Sequence, residues 1–242
     1  MKDFLIRFLG NPIEFTRRVI DKMIIFPLKY GRKDDYDAAR YWDDRFKRHK
    51  GNVKAVGIEG LSEDDNLKLR GLAEEVFRDA CQKQNLNYSQ IHVLEIGCGT
   101  GFYTKILRDL DVKNYTGIDI TDAYFPQLQN QFPQFQFVKK DVTTEPLDRT
   151  FDVIIMMDVI EHIVTDQKLS FAMTQVKDSL KENGLFFLVP VSASARRHLF
   201  HVRQWSMGEI ERLFPLRAYR MEKTIARGDD LLLVIQKNSV SA

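Results

Sequence analysis

The nine residues Val93-Leu94-Glu95-Ile96-Gly97-Cys98-Gly99-Thr100-Gly101 constrain this chain more than any other stretch. A short apolar run with Val and Ile reads as a buried strand, and three glycines at alternate positions read as a tight turn into the helix that follows. Such a turn lets a ligand lie against bare backbone at a helix N-terminus, where unpaired N–H groups point outward. The spacing is G-x-G-x-G. A dinucleotide fingerprint needs G-x-G-x-x-G, and Phe102 stands where its third glycine belongs. Asp119 closes the next apolar segment, Tyr115 to Asp119, and is placed to accept hydrogen bonds from ribose hydroxyls. The expected ligand is therefore a nucleotide-type cofactor.

From Tyr88 onward, strands and helices alternate. Strands are expected near 91–96, 115–118, 135–138, 151–157, 184–191, 217–224 and 231–237, and helices near 101–110, 122–131, 166–182 and 206–214. The last helix opens on a Ser206-x-x-Glu209 capping box. The alternation predicts an α/β fold, a Rossmann-like seven-stranded mostly parallel sheet with helices on both faces. Residues 1–87 read as a helical extension and lid, and residues 88–242 as the cofactor-binding domain. A helix is expected over 66–84, with Leu69, Leu72, Ala73, Val76, Phe77 and Ala80 on one stripe that covers the sheet. Tyr41, Trp42 and Phe46 belong to a lid segment or to the core.

Four segments in order resemble the class I S-adenosylmethionine-dependent methyltransferases: Glu95 to Gly101, Gly117-Ile118-Asp119, Asp141-Val142, and Phe151 to His162. The resemblance covers roughly residues 88 to 237. It implies S-adenosylmethionine as cofactor and S-adenosylhomocysteine as product. Glu95, Gly97, Cys98, Gly99 and Gly101 would form the turn against the cofactor, with Asp119 and Ile120 at the ribose. Asp141 and Val142 would meet the adenine, and Met157 and Asp158 the amino-acid end. Asp141 also reads as a helix cap.

The cofactor carries the reactivity in methyl transfer, so the protein mainly aligns a nucleophile and excludes water. A hydroxyl nucleophile must still lose a proton, and histidine is a suitable acceptor. His162 and His201 are the candidate bases, and Glu161 stands beside His162. His198 and His201 follow the fifth strand, so three of the five histidines are expected to converge on one pocket edge. His49 and His92 read as surface and strand-start residues.

Asp158, Glu161, His162 and one of His198 or His201 would also make a mixed oxygen and nitrogen set for Mg²⁺ or Mn²⁺. The pattern Asp158-x-x-Glu161-His162 with His198-x-x-His201-x-x-x-Trp205-Ser206 resembles the small-RNA 2′-O-methyltransferases, and its first part resembles ubiquinone-pathway O-methyltransferases. Those families carry Glu where this chain has Asp158, whose shorter arm argues against coordination. No metal is therefore assigned.

The expected activity is O-methylation of a small molecule or glycan intermediate. An RNA 2′-O-methyltransferase and a catalytically silent cofactor-binding subunit are the alternatives. Nucleic acid is disfavoured because the net charge of +2 is uneven: residues 1–33 carry +5 and the remainder −3. The basic excess falls on an amphipathic helix expected from the Asn11 cap to Leu28. That helix is a candidate for a membrane-surface or dimer contact, or for packing on its own domain. The opening residues lack a signal-peptide pattern and no apolar run approaches the roughly 20 residues of a membrane span, so a cytoplasmic location is expected. Cys81 and Cys98 are isolated from each other and form no C-x-x-C pair.

Overall fold

The structure, a computed structural model, describes residues 12–31 and 36–239. The main sheet is built from β1 (His92–Ile96), β2 (Asn114–Asp119), β3 (Gln136–Lys139), β4 (Phe151–Met157), β5 (Leu180–Val191), β8 (Tyr219–Arg227) and β9 (Asp230–Lys237). A separate hairpin of β6 (Arg196–Leu199) and β7 (Val202–Gln204) follows β5 in the chain. The main strands lie in the order β3-β2-β1-β4-β5-β9-β8. The first five are parallel, and β9 runs antiparallel to both neighbours. All seven expected strands are present, in the mostly parallel arrangement expected. The β6–β7 hairpin was not anticipated, because its short polar residues carry no β-period signal.

Strand order reverses between β1 and β4, and there the carboxyl ends of the strands open a crevice. The central strands are apolar on both faces because helices cover both. Val93, Ile155 and Phe187 point into one core, with Phe77, Leu107 and Leu128. Leu94, Ile154 and Phe186 point into the other, with Ala172, Met173 and Ile210. The helices that supply these contacts are α4 (Glu63–Lys83), α5 (Phe102–Asp109), α6 (Phe125–Gln131), α7 (Asp166–Ser179) and α8 (Met207–Leu213). The α8 capping box is formed, Ser206 and Glu209 each satisfying the other's backbone N–H. The helix expected to reach residue 182 stops at Ser179, because Leu180 already pairs with Phe151 ahead of a bulge in β5.

Upstream, α1 (Pro12–Ile20) passes through a π-type turn, Asp21–Ile25, into α2 (Phe26–Tyr30), and α3 (Ala38–Arg48) follows. The widened turn sits next to Pro27, which has no N–H to give the carbonyl four residues back. The expected Asn11 cap lies outside the described residues. Phe26, Tyr30, Tyr36, Tyr41 and Val164 form a third, aromatic-rich cluster that ties α2 and α3 to the loop before α7. The same helical run leaves Ile13, Met23 and Leu28 exposed (84%, 63% and 68%). It packs on the body through Phe26 and Tyr30 and keeps a separate apolar ridge in solvent. No helix among the described residues is long and apolar enough to cross a membrane.

Helix α4 departs in part from its expected role. Phe77, Ala80 and Cys81 are buried against the sheet, Leu69 and Ala73 instead face a cavity, and Leu72 is exposed. Phe77 is fully buried and edge-on to both Tyr103 and Phe187, ring centroids 5.3 and 5.8 Å away. Phe77→Ala is therefore expected to lower the unfolding free energy by about 3–5 kcal/mol. Leu72→Ala is expected to change it by about 0.5 kcal/mol or less. Urea denaturation of the two variants beside the parent chain checks the difference.

Candidate active site

The crevice is a cavity of about 570 Å³. Its floor is made by the carboxyl ends of β1, β2 and β4, and its roof by α3, α4 and the aromatic cluster. Of the residues expected at the site, Glu95, Gly97, Cys98, Gly99, Asp119, Ile120, Asp141, Val142, Met157, Asp158, Glu161, His162 and His201 all line it. Gly101 does not line it. Its φ is +81°, and a Cβ there would strike the Leu128 side chain at 2.4 Å, so this glycine serves the packing of α6. Gly97 is likewise required by its φ of +78° and by Val159, 2.3 Å from a built Cβ. Gly99 alone has no such obstruction: a Cβ would meet Val56 at 3.4 Å across the cavity. The bare backbone that a ligand could approach is at Gly99, and the other two glycines shape the turn.

Asp119 is tied to that turn. Its Oδ2 accepts the Gly99 N–H (2.9 Å) and its Oδ1 the Thr121 N–H (3.0 Å). Burial raises its pKa to about 6, against the pull of those backbone donors. Both oxygens keep a second acceptor direction, so the ribose role expected for Asp119 is compatible with its structural one. Asp141 has a local partner as well: its Oδ1 accepts from the Thr143 N–H and hydroxyl (2.8 and 2.7 Å). It caps its own turn while lining the cavity. Glu95 is buried, with Thr104 (2.8 Å) and Tyr115 both donating to Oε2. Burial pushes its carboxyl up to about 8.

Asp158 sits at the end of β4 with φ +56°, its N–H on the Val189 carbonyl and Oδ2 accepting from the Tyr103 hydroxyl at 3.1 Å. Sequence reasoning missed Tyr103, which is two residues beyond the glycine pattern and carries no motif of its own. A single 3₁₀ turn, Ile160–His162, then presents Glu161 and His162. The Trp205 indole N–H fixes this turn by bonding the Ile160 and Ile163 carbonyls (3.1 and 2.9 Å). Glu161 Oε2 is buried with no hydrogen-bond partner among the described residues, and burial with the nearby Asp158 charge holds its pKa well above the usual carboxylate range.

The two histidines differ. His162 Nδ1 lies 3.0 Å from the His201 carbonyl, which can only accept. Nδ1 therefore carries the proton and Nε2 keeps its lone pair. Burial lowers the His162 pKa to about 4, opposed in part by that bond. His201 is 3% exposed, and its Nε2 is 3.1 Å from the Tyr41 hydroxyl. Its rings stack in parallel with His162 at 6.1 Å, and burial lowers its pKa to about 2. Nε2 of His201 thus faces a phenol and its Nδ1 has no partner among the described residues, whereas His162 presents Nε2 with its Nδ1 occupied. The His198 side chain lies outside the described residues. Among those residues no group of three or more His, Cys, Asp or Glu is placed to hold a metal. Arg203 pairs with Asp166 and Glu209 and covers the Trp205 ring at 3.5 Å.

Residues 93–184 match the family model described as a methyltransferase domain. A probable S-adenosylmethionine-dependent methyltransferase of Mycolicibacterium smegmatis is 25% identical over 170 residues, covering 65% of each chain. A hybrid PKS-NRPS synthetase of a Neonectria species is 29% identical over 154 residues, which span 56% of this chain and 4% of the synthetase. The chain thus spans less than two thirds of the length of these relatives. Among solved structures, the DhpI complex with S-adenosylhomocysteine superposes with TM-score 0.60 at 15% identity, covering 83% of this chain and 95% of that one. The N-methyltransferase NodS of Bradyrhizobium japonicum gives 0.54 at 21% identity, covering 69% and 96%. These structures share the fold. Residues 93–184 are thus similar to methyltransferase domains, and the described body shares the fold of S-adenosylmethionine-dependent methyltransferases.

The buried carboxyls make a testable statement about stability in the absence of ligand. Because the folded pKa of Glu95 lies above its unfolded value near 4.3, the native state holds the extra proton between the two. That stability is present at low pH and is lost as pH rises from about 4.5 through about 8. The loss runs at up to about 1.4 kcal/mol per pH unit. Glu95→Gln should remove this decline, so its unfolding free energy should gain on that of the parent chain as pH rises. Urea titrations at pH 5, 7 and 8.5 check it.

Proposed function

We propose that this chain transfers the methyl group of S-adenosylmethionine to a hydroxyl of a small molecule or glycan intermediate, with His162 taking the hydroxyl proton. The observation that carries the reading is the fixed tautomer of His162: a neutral imidazole whose Nδ1–H is spent on a backbone carbonyl and whose Nε2 lone pair remains available in the cavity. The residues present suit the cofactor. The turn at Gly99 offers backbone without a side chain, and Asp119 offers acceptors at ribose height. Glu95, Asp158 and the unpartnered Glu161 oxygen offer carboxyl acceptors for ammonium N–H groups. The cofactor supplies an electrophilic methyl. The chain's own part is to close α3 and α4 over the site and hold the acceptor oxygen in line.

Cofactor binding is the first test. Asp119→Ala should weaken S-adenosylhomocysteine by about tenfold or more in titration calorimetry, since it removes the ribose acceptor and frees the Gly99 N–H together. Unchanged affinity overturns the ribose assignment.

The base is the second test. A histidine with a depressed pKa stays neutral at physiological pH, so the acid limb of kcat should lie near the lowered value of about 4 rather than near 6.5. His162→Gln should abolish that limb and slow methyl transfer by ~10²- to 10⁴-fold. Product formation measured from pH 4 to 9 with a hydroxylic acceptor, in parent and variant, decides between this reading and a base elsewhere. The N-methyltransferases among the structural neighbours suggest an amine acceptor as the competitor. An amine acceptor would instead show a limb at the acceptor's own ammonium pKa, unaffected by His162→Gln.

A further inference from the structure

The cavity has a second side that the cofactor does not explain. The strand ends contribute the carboxyl groups of Glu95, Asp119, Asp158 and Glu161. The opposite wall comes from the N-terminal segment and carries Lys22 and Arg45 together with Asp37 and Glu59. Glu59, the carboxylate nearest those cations, is shared among Lys22 (3.5 Å), Arg48 (3.6 Å) and His49 (3.2 Å). Asp37 adds a second carboxylate to this wall, so its recognition capacity rests on unpartnered donors rather than on net charge.

Two buried polar groups on that wall have no partner among the described residues: the Tyr36 hydroxyl and His201 Nδ1. Both side chains are more than nine-tenths buried, at 4% and 3% exposure, and both line the cavity. Their rings are 6.3 Å apart. The Lys22 charge is close enough to depress the His201 pKa. The protonation of His201 follows from its neighbours. Arg45 Nη1 donates to the Tyr41 oxygen at 3.2 Å, and Tyr41 lies 3.1 Å from His201 Nε2. The phenolic proton has no other acceptor among the described residues. A buried hydroxyl left without one costs about 1–3 kcal/mol, so Tyr41 donates to Nε2. The remaining ring proton is then on Nδ1, a donor with nothing to donate to. A neutral histidine donor, a tyrosine hydroxyl and a lysine ammonium together are a recognition set for an oxyanion.

We propose that the Tyr36, His201 and Lys22 wall is a subsite for a carboxylate or phosphate group of the methyl acceptor, so that the substrate class is an anionic hydroxy compound rather than a neutral one. The proposal rests on the reading of the cavity as a methyl-transfer site. The acceptor would lie with its anion against the N-terminal helices and its hydroxyl toward His162. The parallel His162 and His201 rings, joined through the His201 carbonyl, would set the distance between the two ends.

The test uses the full chain saturated with S-adenosylhomocysteine, with acetate, inorganic phosphate and neutral acetamide as probes. Histidine ring ¹⁵N–¹H spectra report on Nδ1 of His201. The expected result is that acetate or phosphate shifts this resonance with saturable dependence while acetamide does not. Apparent affinity should fall about tenfold in Lys22→Met and severalfold in Tyr36→Phe, substitutions that leave the buried ring packing in place. The acetate and phosphate arms show which oxyanion the wall prefers. Equal response to acetamide, no response to either anion, or unchanged affinity in Lys22→Met overturns the subsite. Calorimetry of S-adenosylhomocysteine on the same sample separates the two levels. Cofactor binding without an anion response rejects the subsite alone, and absence of cofactor binding rejects the methyl-transfer reading beneath it.

Discussion

The hydrogen bonds from the Gly99 and Thr121 N–H groups to Asp119 hold the rest of the site in place. They join the turn after β1 to the end of its neighbour β2 through one buried carboxylate, beside the point between β1 and β4 where the sheet order reverses. Without that acceptor the Gly99 N–H would lose its partner, while Gly97 and Cys98 would still bond the Ile118 carbonyl and Gly101 the Cys98 carbonyl. Because the carboxylate is buried, its ionised form depends on those donors, and its raised pKa shows that they only partly offset the cost of burial. The turn and the aspartate therefore stabilise each other. A ligand that adds hydroxyl donors to Asp119 would complete a solvation shell that the protein has half built.

That arrangement explains the division of labour among the three glycines. Gly97 and Gly101 are held to glycine by left-handed backbone and by Val159 and Leu128, which are ordinary packing partners. Gly99, left-handed as well at φ +47°, sits between them with no side chain closer than 3.4 Å to a built Cβ. The motif reads in sequence as three equivalent positions facing a ligand. In space Gly97 and Gly99 line the cavity, and Gly101 serves the turn and its packing.

The strands and their order were legible in the sequence because a sheet covered on both faces demands long apolar runs, and β4 and β5 supply them. The helix cap at Ser206 was legible for a local reason, a side-chain oxygen three residues before the donor it satisfies. What stayed hidden depends on distant pairing. The β6–β7 hairpin has no apolar alternation, so only the fold shows that Arg197 faces Arg203 across it. The stripe on α4 was read as one face, yet the helix meets two surroundings along its length, sheet near Phe77 and cavity near Leu69. Periodicity reports that a residue is turned inward and is silent on what it turned toward.

The same limit separated the two histidines. In sequence, His162 and His201 are equally good candidates for a proton acceptor. The difference between them lies in contacts made by residues 41 and 45 on a helix more than a hundred positions away. Tyr41, itself bonded to Arg45, occupies Nε2 of His201. The His201 backbone carbonyl in turn occupies Nδ1 of His162. The relay Arg45, Tyr41, His201, His162 thus assigns a proton to each ring, turning one histidine into a donor and the other into an acceptor on the same cavity wall. The N-terminal helices contribute more than cover. They set the chemical polarity of a site whose cofactor half is built by the sheet.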